Sequence, residues 1–338
     1  MDLGTHGRLF SRPDYLLMNV DDVREELEFR PVSRSLIMNE PFLNSFTRLP
    51  GSMDSFRIPI ETALEWEADQ PPLPQSRFIF HTAFCGSTLL ANLMAGAVPS
   101  LPMREPDVLG TLANLKAAKS KLAGKPEHWS ALISFTLRQM QKSWSDYPVV
   151  LKPSNWANTL IPDFLDAQPD SQTVTISMGL EDFLIANLRG GKERLSFSLD
   201  LLNHLLASNT ANRCAVLEIE RAGLSPTQRL LRLLTVVHES QRAWLKRYVH
   251  NGEWLTLSEL RSSPISTLHT AADALQLKLA PDRITPTMKR ELSRNAKAPN
   301  KPFSQRAEAA ENTRLYVEFG DELNQVLDWR RTEQRDVG

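Results

Sequence analysis

"FIFHTAFCGSTLLANLM", residues 78–94, decides how this chain is read, because an apolar run, a turn of small residues and a second apolar run follow one another directly. Residues 77–81 predict a short buried strand, and residues 87–97 predict a helix whose apolar residues include Leu89, Leu90, Leu93 and Met94. The turn between them has the outline of a phosphate-binding loop. A full nucleoside-triphosphate loop reads G-x-x-x-x-G-K-[ST]: the glycines let backbone N–H groups wrap the phosphates, the lysine meets the outer phosphates and the hydroxyl binds magnesium. Here Gly86, Ser87 and Thr88 fall on the last three positions, with Ser87 in place of the lysine and His81 in place of the first glycine. Outer phosphates are therefore not provided for. The donor end is intact, since Gly86, Ser87 and Thr88 open a helix and present N–H groups and hydroxyls to one anionic group at its positive end. No apolar strand ending in Asp follows to organise magnesium, for "VTIS" ends in Ser177 and "VVLK" in Lys152. Such a loop suits a 5′-phosphate held without metal.

Composition narrows the setting. The chain has 338 residues, 41% hydrophobic and 23% charged, enough for one main domain with extensions. A formal net charge of -1 gives no polyelectrolyte attraction to nucleic acid or to an anionic membrane surface, so any anion has to be held by local groups. Two cysteines make neither a disulfide framework nor a zinc spacing, which points to a reducing compartment, and Cys85 reads as a small loop residue rather than a nucleophile. The first residues lack a basic and then apolar leader, and no run approaches the roughly 18 apolar residues that span a bilayer. A cytoplasmic protein with no membrane span is expected. The seven histidines are scattered and suggest no metal site.

Along the chain, residues 1–76 are expected to form an N-terminal helical extension packing on the core, with helices over 20–29, around Leu43 and Phe46, and over 61–68. A Pro-rich break over 71–74 then leads into an α/β domain over 77–304, followed by a C-terminal helix and tail over 305–338. Further strands are predicted over 148–154, 172–177 and 254–260. Helices are predicted over 109–121, 128–143, 181–188, 196–207, 226–248 and 265–277. Strands separated by helices long enough to be crossovers imply a parallel sheet covered by helices on both faces. "DWRRTEQRDVG" at the end reads as a solvated tail.

"FCGSTLL", residues 84–90, resembles the loop of the sulfotransferases that use 3′-phosphoadenosine 5′-phosphosulfate (PAPS), commonly R/K-S-G-T/S-T-x-L, from Gly86 onward. Further segments in the family's order extend the resemblance over roughly residues 77–304. It implies a P-loop sulfotransferase-like three-layer architecture and PAPS as co-substrate without a metal, with Phe84, Cys85, Gly86, Ser87, Thr88 and Leu89 around its 5′ end. "MREPDVL" resembles the segment that carries the family's general base in several members, which would be Glu105. "VVLKPSNWA" resembles the strand that aims a lysine at the sulfuryl group, which would be Lys152. Because Phe84 stands where the family's loop has its cation, Lys152 is the substitute, with Arg104 in reserve. "TISMGLEDFLIANLRGGKER" occupies the place of the 3′-phosphate site, but Met178 and Ala186 fall where the family has arginine and serine. Ser177, Arg189 and Lys192 are the nearby replacements, and a solvated helix end accounts for Arg189 and Lys192 equally well. "EWLTLSELRSSPISTLHTAADALQL" resembles the family's late strand and helix. "RNAKAPNKPFS" lies where the family closes a segment over the 3′-phosphate, through Arg294, Lys297 or Lys301, although a plain surface connector fits it too. His81 is a candidate to assist an acceptor or leaving oxygen, and also fits as a packed, hydrogen-bonded histidine.

The activity so implied is transfer of a sulfuryl group from PAPS to a hydroxyl or amine of a small-molecule or carrier-bound acceptor. Two alternatives stand beside it: a non-catalytic nucleotide-binding or interaction protein on the same fold, and a divergent P-loop kinase, which the missing lysine and Asp disfavour.

Overall fold

The computed structural model describes residues 3–44 and 55–336. Near the N-terminus, β1 (Tyr15–Asp21), β2 (Glu26–Pro31) and β3 (Phe56–Pro59) form a three-stranded antiparallel sheet in that order. The main sheet is five-stranded and parallel, with β4 (Arg77–His81), β5 (Leu101–Arg104), β6 (Val149–Lys152), β7 (Gln172–Ser177) and β8 (Gly252–Thr256) in the order β5-β6-β4-β7-β8. Short strands β9 (Arg294–Asn295) and β10 (Ala298–Pro302) pair as an antiparallel hairpin.

The apolar runs explain why the main sheet is buried on both sides. Along β4, Ile79 points into one core while Phe78 and Phe80 point into the other, and β6 divides the same way, with Val150 against Val149 and Leu151. Helices Ser87–Ala97, Leu180–Ala207, Pro226–Tyr248 and Pro264–Ala274 fill the first face. Helices Asp107–Ala117, Pro126–Met140 and Ile161–Ala167, with the N-terminal sheet, fill the second. The result is a three-layer α/β architecture. From β4 the chain moves to one side for β5 and β6 and to the other for β7 and β8, so the loop after β4 sits at the switch point where open α/β sheets bind ligands.

Several expectations change. Residues 20–29, expected as a helix, are the end of β1, a turn and most of β2. Leu27 and Phe29 alternate with the less buried Glu26, Glu28 and Arg30, and Asp21 Oδ1 closes the turn by accepting from the Val23 and Arg24 N–H groups at 3.1 and 2.9 Å. A period of two and an Asx turn override helix-forming composition there. Leu43 is buried outside any helix, and Phe46 lies outside the described residues. The late strand stops at Thr256, where a capping box with Glu259 starts the helix Leu257–Ser262. Helices over 181–188 and 196–207 are one run, Leu180–Ala207, bent at Gly191, whose φ of 56° and ψ of -149° are not helical. The last described helix is anchored on the core ahead of residue 330. Helix Gln305–Asp336 buries Leu315, Leu323 and Val326, and Arg232 lies 4.4 Å from the ring centre of Trp329. Among the described residues no helix is long and apolar enough to cross a membrane.

Candidate active site

Gly86 makes the loop possible. Its φ is 83°, in the left-handed region, and an added Cβ would lie 2.6 Å from Leu257 Cδ1. Phe84 also has a positive φ, 59°, a conformation that bulky residues rarely adopt and that is typical of functional loops. Cys85 turns inward: its Sγ lies 3.0 Å from the Thr82 carbonyl and 3.2 Å from the Ile176 carbonyl, which share its one S–H, tying the loop to β7. Burial pushes its thiol above the ordinary value, so it is an anchor and not a thiolate. Helix Ser87–Ala97 begins with Gly86 as N-cap and no side chain capping it. The Thr82 and Thr88 hydroxyls are buried without a hydrogen-bond partner. Free N–H groups at a helix N-terminus beside orphaned hydroxyls form a cradle for an oxyanion.

The strand ends bring a base and a cation together. The register of β5 and β6 sets Arg104 opposite Lys152, and the Glu105 N–H extends the ladder to the Lys152 carbonyl at 2.7 Å. Glu105, with φ 49°, then turns its carboxylate onto the Lys152 ammonium in a direct ion pair. The Lys152 side chain is 1% exposed and that of Glu105 20%, so the carboxylate is the half of the pair that solvent or substrate can reach. Burial works to raise Glu105, but Lys152 above all, with His81 and Lys297, outweighs it and holds the carboxyl below its ordinary range. His81 Nε2 lies 3.9 Å from the Glu105 carboxylate. Its Nδ1 and Nε2 are each 2.9 Å from a carbonyl, of Thr82 and Pro153. Burial, reinforced by Lys152, pushes the imidazole down to about 3, so the ring is neutral at neutral pH and donates through one nitrogen only.

Cations gather on the Phe84 ring. Arg194 Cζ lies 5.0 Å from the ring centre and Lys297 Nζ 5.5 Å, with Lys297 also 5.8 Å from the ring of Phe42. Burial lowers Lys297, and Glu105 opposes that shift, which ties this ammonium electrostatically to the Glu105–Lys152 pair. Sequence reasoning missed Arg194. The available signal was Gly190-Gly191, where the helix bends ahead of it.

Other candidates are placed elsewhere. Arg189 is held by Asn312 at 2.7 Å and Glu308 at 2.7 Å on the C-terminal helix, and Glu308 also takes Arg261 at 2.8 Å. Lys192 is exposed, Leu89 is half-buried and Ser177 is buried at the end of β7 opposite Thr256. Arg294 pairs with Glu291 at 2.9 Å. Arg104, the reserve cation, is spent on backbone carbonyls, donating from Nη1 to Ile37 at 3.1 Å and Glu40 at 3.0 Å. The Lys301 side chain lies outside the described residues. Among the described residues no group of three or more His, Cys, Asp or Glu side chains could hold a metal ion.

Fold and site define a three-layer α/β protein with an uncapped helix N-terminus and a buried carboxylate–ammonium pair at the switch point of its parallel sheet. No family model and no curated protein sequence matches the chain. Similar solved structures include the sulfotransferase domain from the curacin biosynthetic pathway, at 11% identity and a TM-score of 0.39 over 74% of this chain and 99% of that one. A sulfotransferase from Mycobacterium avium is similar at 11% identity and a TM-score of 0.39, over 77% of this chain and 81% of its own. Retinol dehydratase, solved in a complex with retinol and PAP, is similar at 13% identity and a TM-score of 0.36, over 81% and 86%. Identities and TM-scores this low leave the chemistry to this chain's own residues.

Proposed function

We propose that this protein is a PAPS-dependent sulfotransferase that moves the sulfuryl group of PAPS to a hydroxyl or amine of a small-molecule or carrier-bound acceptor. One observation carries the reading: adjacent strand ends deliver the Glu105–Lys152 ion pair to the sheet edge that also holds an uncapped helix N-terminus and the orphaned Thr88 hydroxyl. Gly86, Ser87 and Thr88 hold the 5′-phosphate end. Glu105 accepts the proton of the attacking acceptor as the new O–S or N–S bond forms. The S–O bond to the 5′-phosphate breaks, its electron pair stays on the phosphate oxygen, and 3′-phosphoadenosine 5′-phosphate (PAP) leaves.

The ion pair gives this sequence of events a physical logic. In the resting site Lys152 keeps Glu105 ionised and weakly basic. When Lys152 turns to the transferring group, the burial of Glu105 loses its main counterweight and the carboxylate becomes a stronger base at the moment it is needed. Lys152 meanwhile stabilises charge on the bridging oxygen, and Lys297 and Arg194 over Phe84 supply the positive field that the loop itself lacks. Both cysteines are free, which fits a cytoplasmic setting. A second reading, a nucleotide-binding protein without transfer activity, is favoured by Phe84 itself.

Calorimetric titration with PAP, and with ATP in the presence and absence of magnesium, tests the nucleotide assignment. PAP should bind without metal and more tightly than ATP. Labelled PAPS offered with alcohols, phenols, amines and sugars tests transfer. Failure to bind PAP, or a strict magnesium requirement, overturns the reading; tight PAP binding with no transfer to any acceptor selects the second one.

A further inference from the structure

Beside the reacting centre a cleft of about 580 Å³ opens between the loop helix, the C-terminal end of helix Pro281–Leu292 and the segment after helix Arg34–Asn39. Three guanidinium groups, Arg104, Arg290 and Arg294, line it against two carboxylates, Glu291 and Glu40. Glu291, 1% exposed, carries both Arg290 at 2.7 Å and Arg294 at 2.9 Å. Arg104 is left without a carboxylate of its own. It is 3% exposed, its Nη1 is spent on carbonyls, and its Nε is buried with no partner at all. Burial pushes this arginine down to about 10, a measure of how poorly its charge is compensated. A guanidinium with so little compensation at the cleft lining makes the cleft favourable for an anion.

An added Cβ at Gly96 would meet Thr287 Oγ1 at 2.7 Å and Arg290 Nη2 at 2.9 Å, so the glycine is what lets the Arg290 guanidinium lie against the loop helix at the cleft wall. Cleft and reacting centre are also neighbours in the chain at three places. Arg104 precedes Glu105, Ala296 precedes Lys297, and Pro41 precedes Phe42, the ring under Lys297.

We propose that this cleft binds an oxyanion, a carboxylate or phosphate group, of the acceptor, so that the sulfuryl group goes to an anionic alcohol or amine. The inference rests on the sulfotransferase reading only for what happens to the bound acceptor. The oxyanion site itself stands on the cleft. Arg290 holds the anionic end, the Arg104 charge favours it from the cleft lining, and the hydroxyl or amine reaches past Ala296 and Pro41 to Glu105.

The full chain, saturated with PAP so that the loop is filled, is titrated with inorganic phosphate and separately with acetate. Saturable binding of either anion is expected, and the arm that binds names the oxyanion. Arg290→Ala, at a half-exposed side chain, and Ala95→Glu, on the cleft wall, should each weaken it by about tenfold, the scale of one charge-assisted hydrogen bond, while both variants stay cooperatively folded in urea unfolding and keep the PAP affinity of the wild type. If PAP does not bind, the same titrations in Ser87→Glu, whose carboxylate fills the loop, still read the cleft alone. In transfer assays Arg290→Ala should raise KM for an anionic acceptor by a similar factor, with kcat little changed. Binding of neither anion, affinities unaltered in both variants, or transfer as efficient to neutral as to anionic acceptors overturns the proposal.

Discussion

Replacing Lys152 by methionine keeps an unbranched side chain of similar length and removes one ammonium from the centre of the site. Two consequences follow from its position. The side chain is 1% exposed and fixed on Glu105 at the end of its strand, so in the proposed transfer it acts as a preorganised charge, and losing one such donor typically costs about 100- to 1000-fold in turnover. A Coulomb estimate agrees in scale: two unit charges about 4 Å apart at an effective dielectric of about 20 interact by about 4 kcal/mol. The second consequence falls on Glu105. Lys152 is the largest influence holding that carboxyl down against its burial, so in Lys152→Met the carboxyl titrates at higher pH than in the wild type. A carboxyl with a depressed value contributes stability present above its unfolded value and lost as pH falls through the folded one, and the variant should show less of this gain. Turnover is measured with labelled PAPS and a working acceptor, or by the slower transfer to water if none is found. PAP affinity, by calorimetry, should change far less, because PAP has no sulfuryl oxygens. The acid limb of the rate should move to higher pH in the variant. His81, at about 3, should place no limb between about 6 and 7 in either protein. Turnover within about threefold of wild type, together with an unmoved limb, would refute the role of Lys152.

Lys297→Gln should lower turnover by roughly tenfold, and Phe84→Arg, which places a cation in the loop itself, should recover part of that loss; no change in the first variant would remove Lys297 from the proposed reacting centre. Gly86→Ala should destabilise the protein by about 2–4 kcal/mol in urea unfolding, from its left-handed backbone and the contact with Leu257, and adding Leu257→Ala should not add its full separate cost. A strictly additive pair would show that the contact does not matter. Lys142 donates to the Tyr15 carbonyl at 2.7 Å, and burial pushes it down to about 7. Its unfolded form binds more protons between that value and the ordinary lysine range, so wild-type stability should rise with pH through that window and Lys142→Met should lack the rise; parallel curves would contradict it.

Much of the fold was legible in local pattern. The strand at Arg77–His81, the helix at Ser87–Ala97, the strand at Gln172–Ser177 and the helix at Pro226–Tyr248 all fall where periodicity put them, because each buries a face set by its own neighbours in sequence. The loop's shape was legible for the same reason: Gly86, Ser87 and Thr88 are contiguous and open a helix. Residues 20–29 show where local reading fails, since Glu, Leu and Arg favour a helix in isolation while the facing strands and a turn at Asp21 make a hairpin. Glu105 and Lys152 stood out individually, but their ion pair did not. They are 47 residues apart, and only the parallel register of β5 with β6 sets them side by side. Arg194 and Lys297 meet over Phe84 because a kink at Gly191 and a hairpin after helix Pro281–Leu292 converge on one ring. Arg189, open to a ligand as far as sequence shows, is drawn instead to Glu308 on the C-terminal helix. Composition and spacing report what a segment can do with its near neighbours; which distant charges become partners depends on strand order, register and helix docking, and these are properties of the packed chain as a whole.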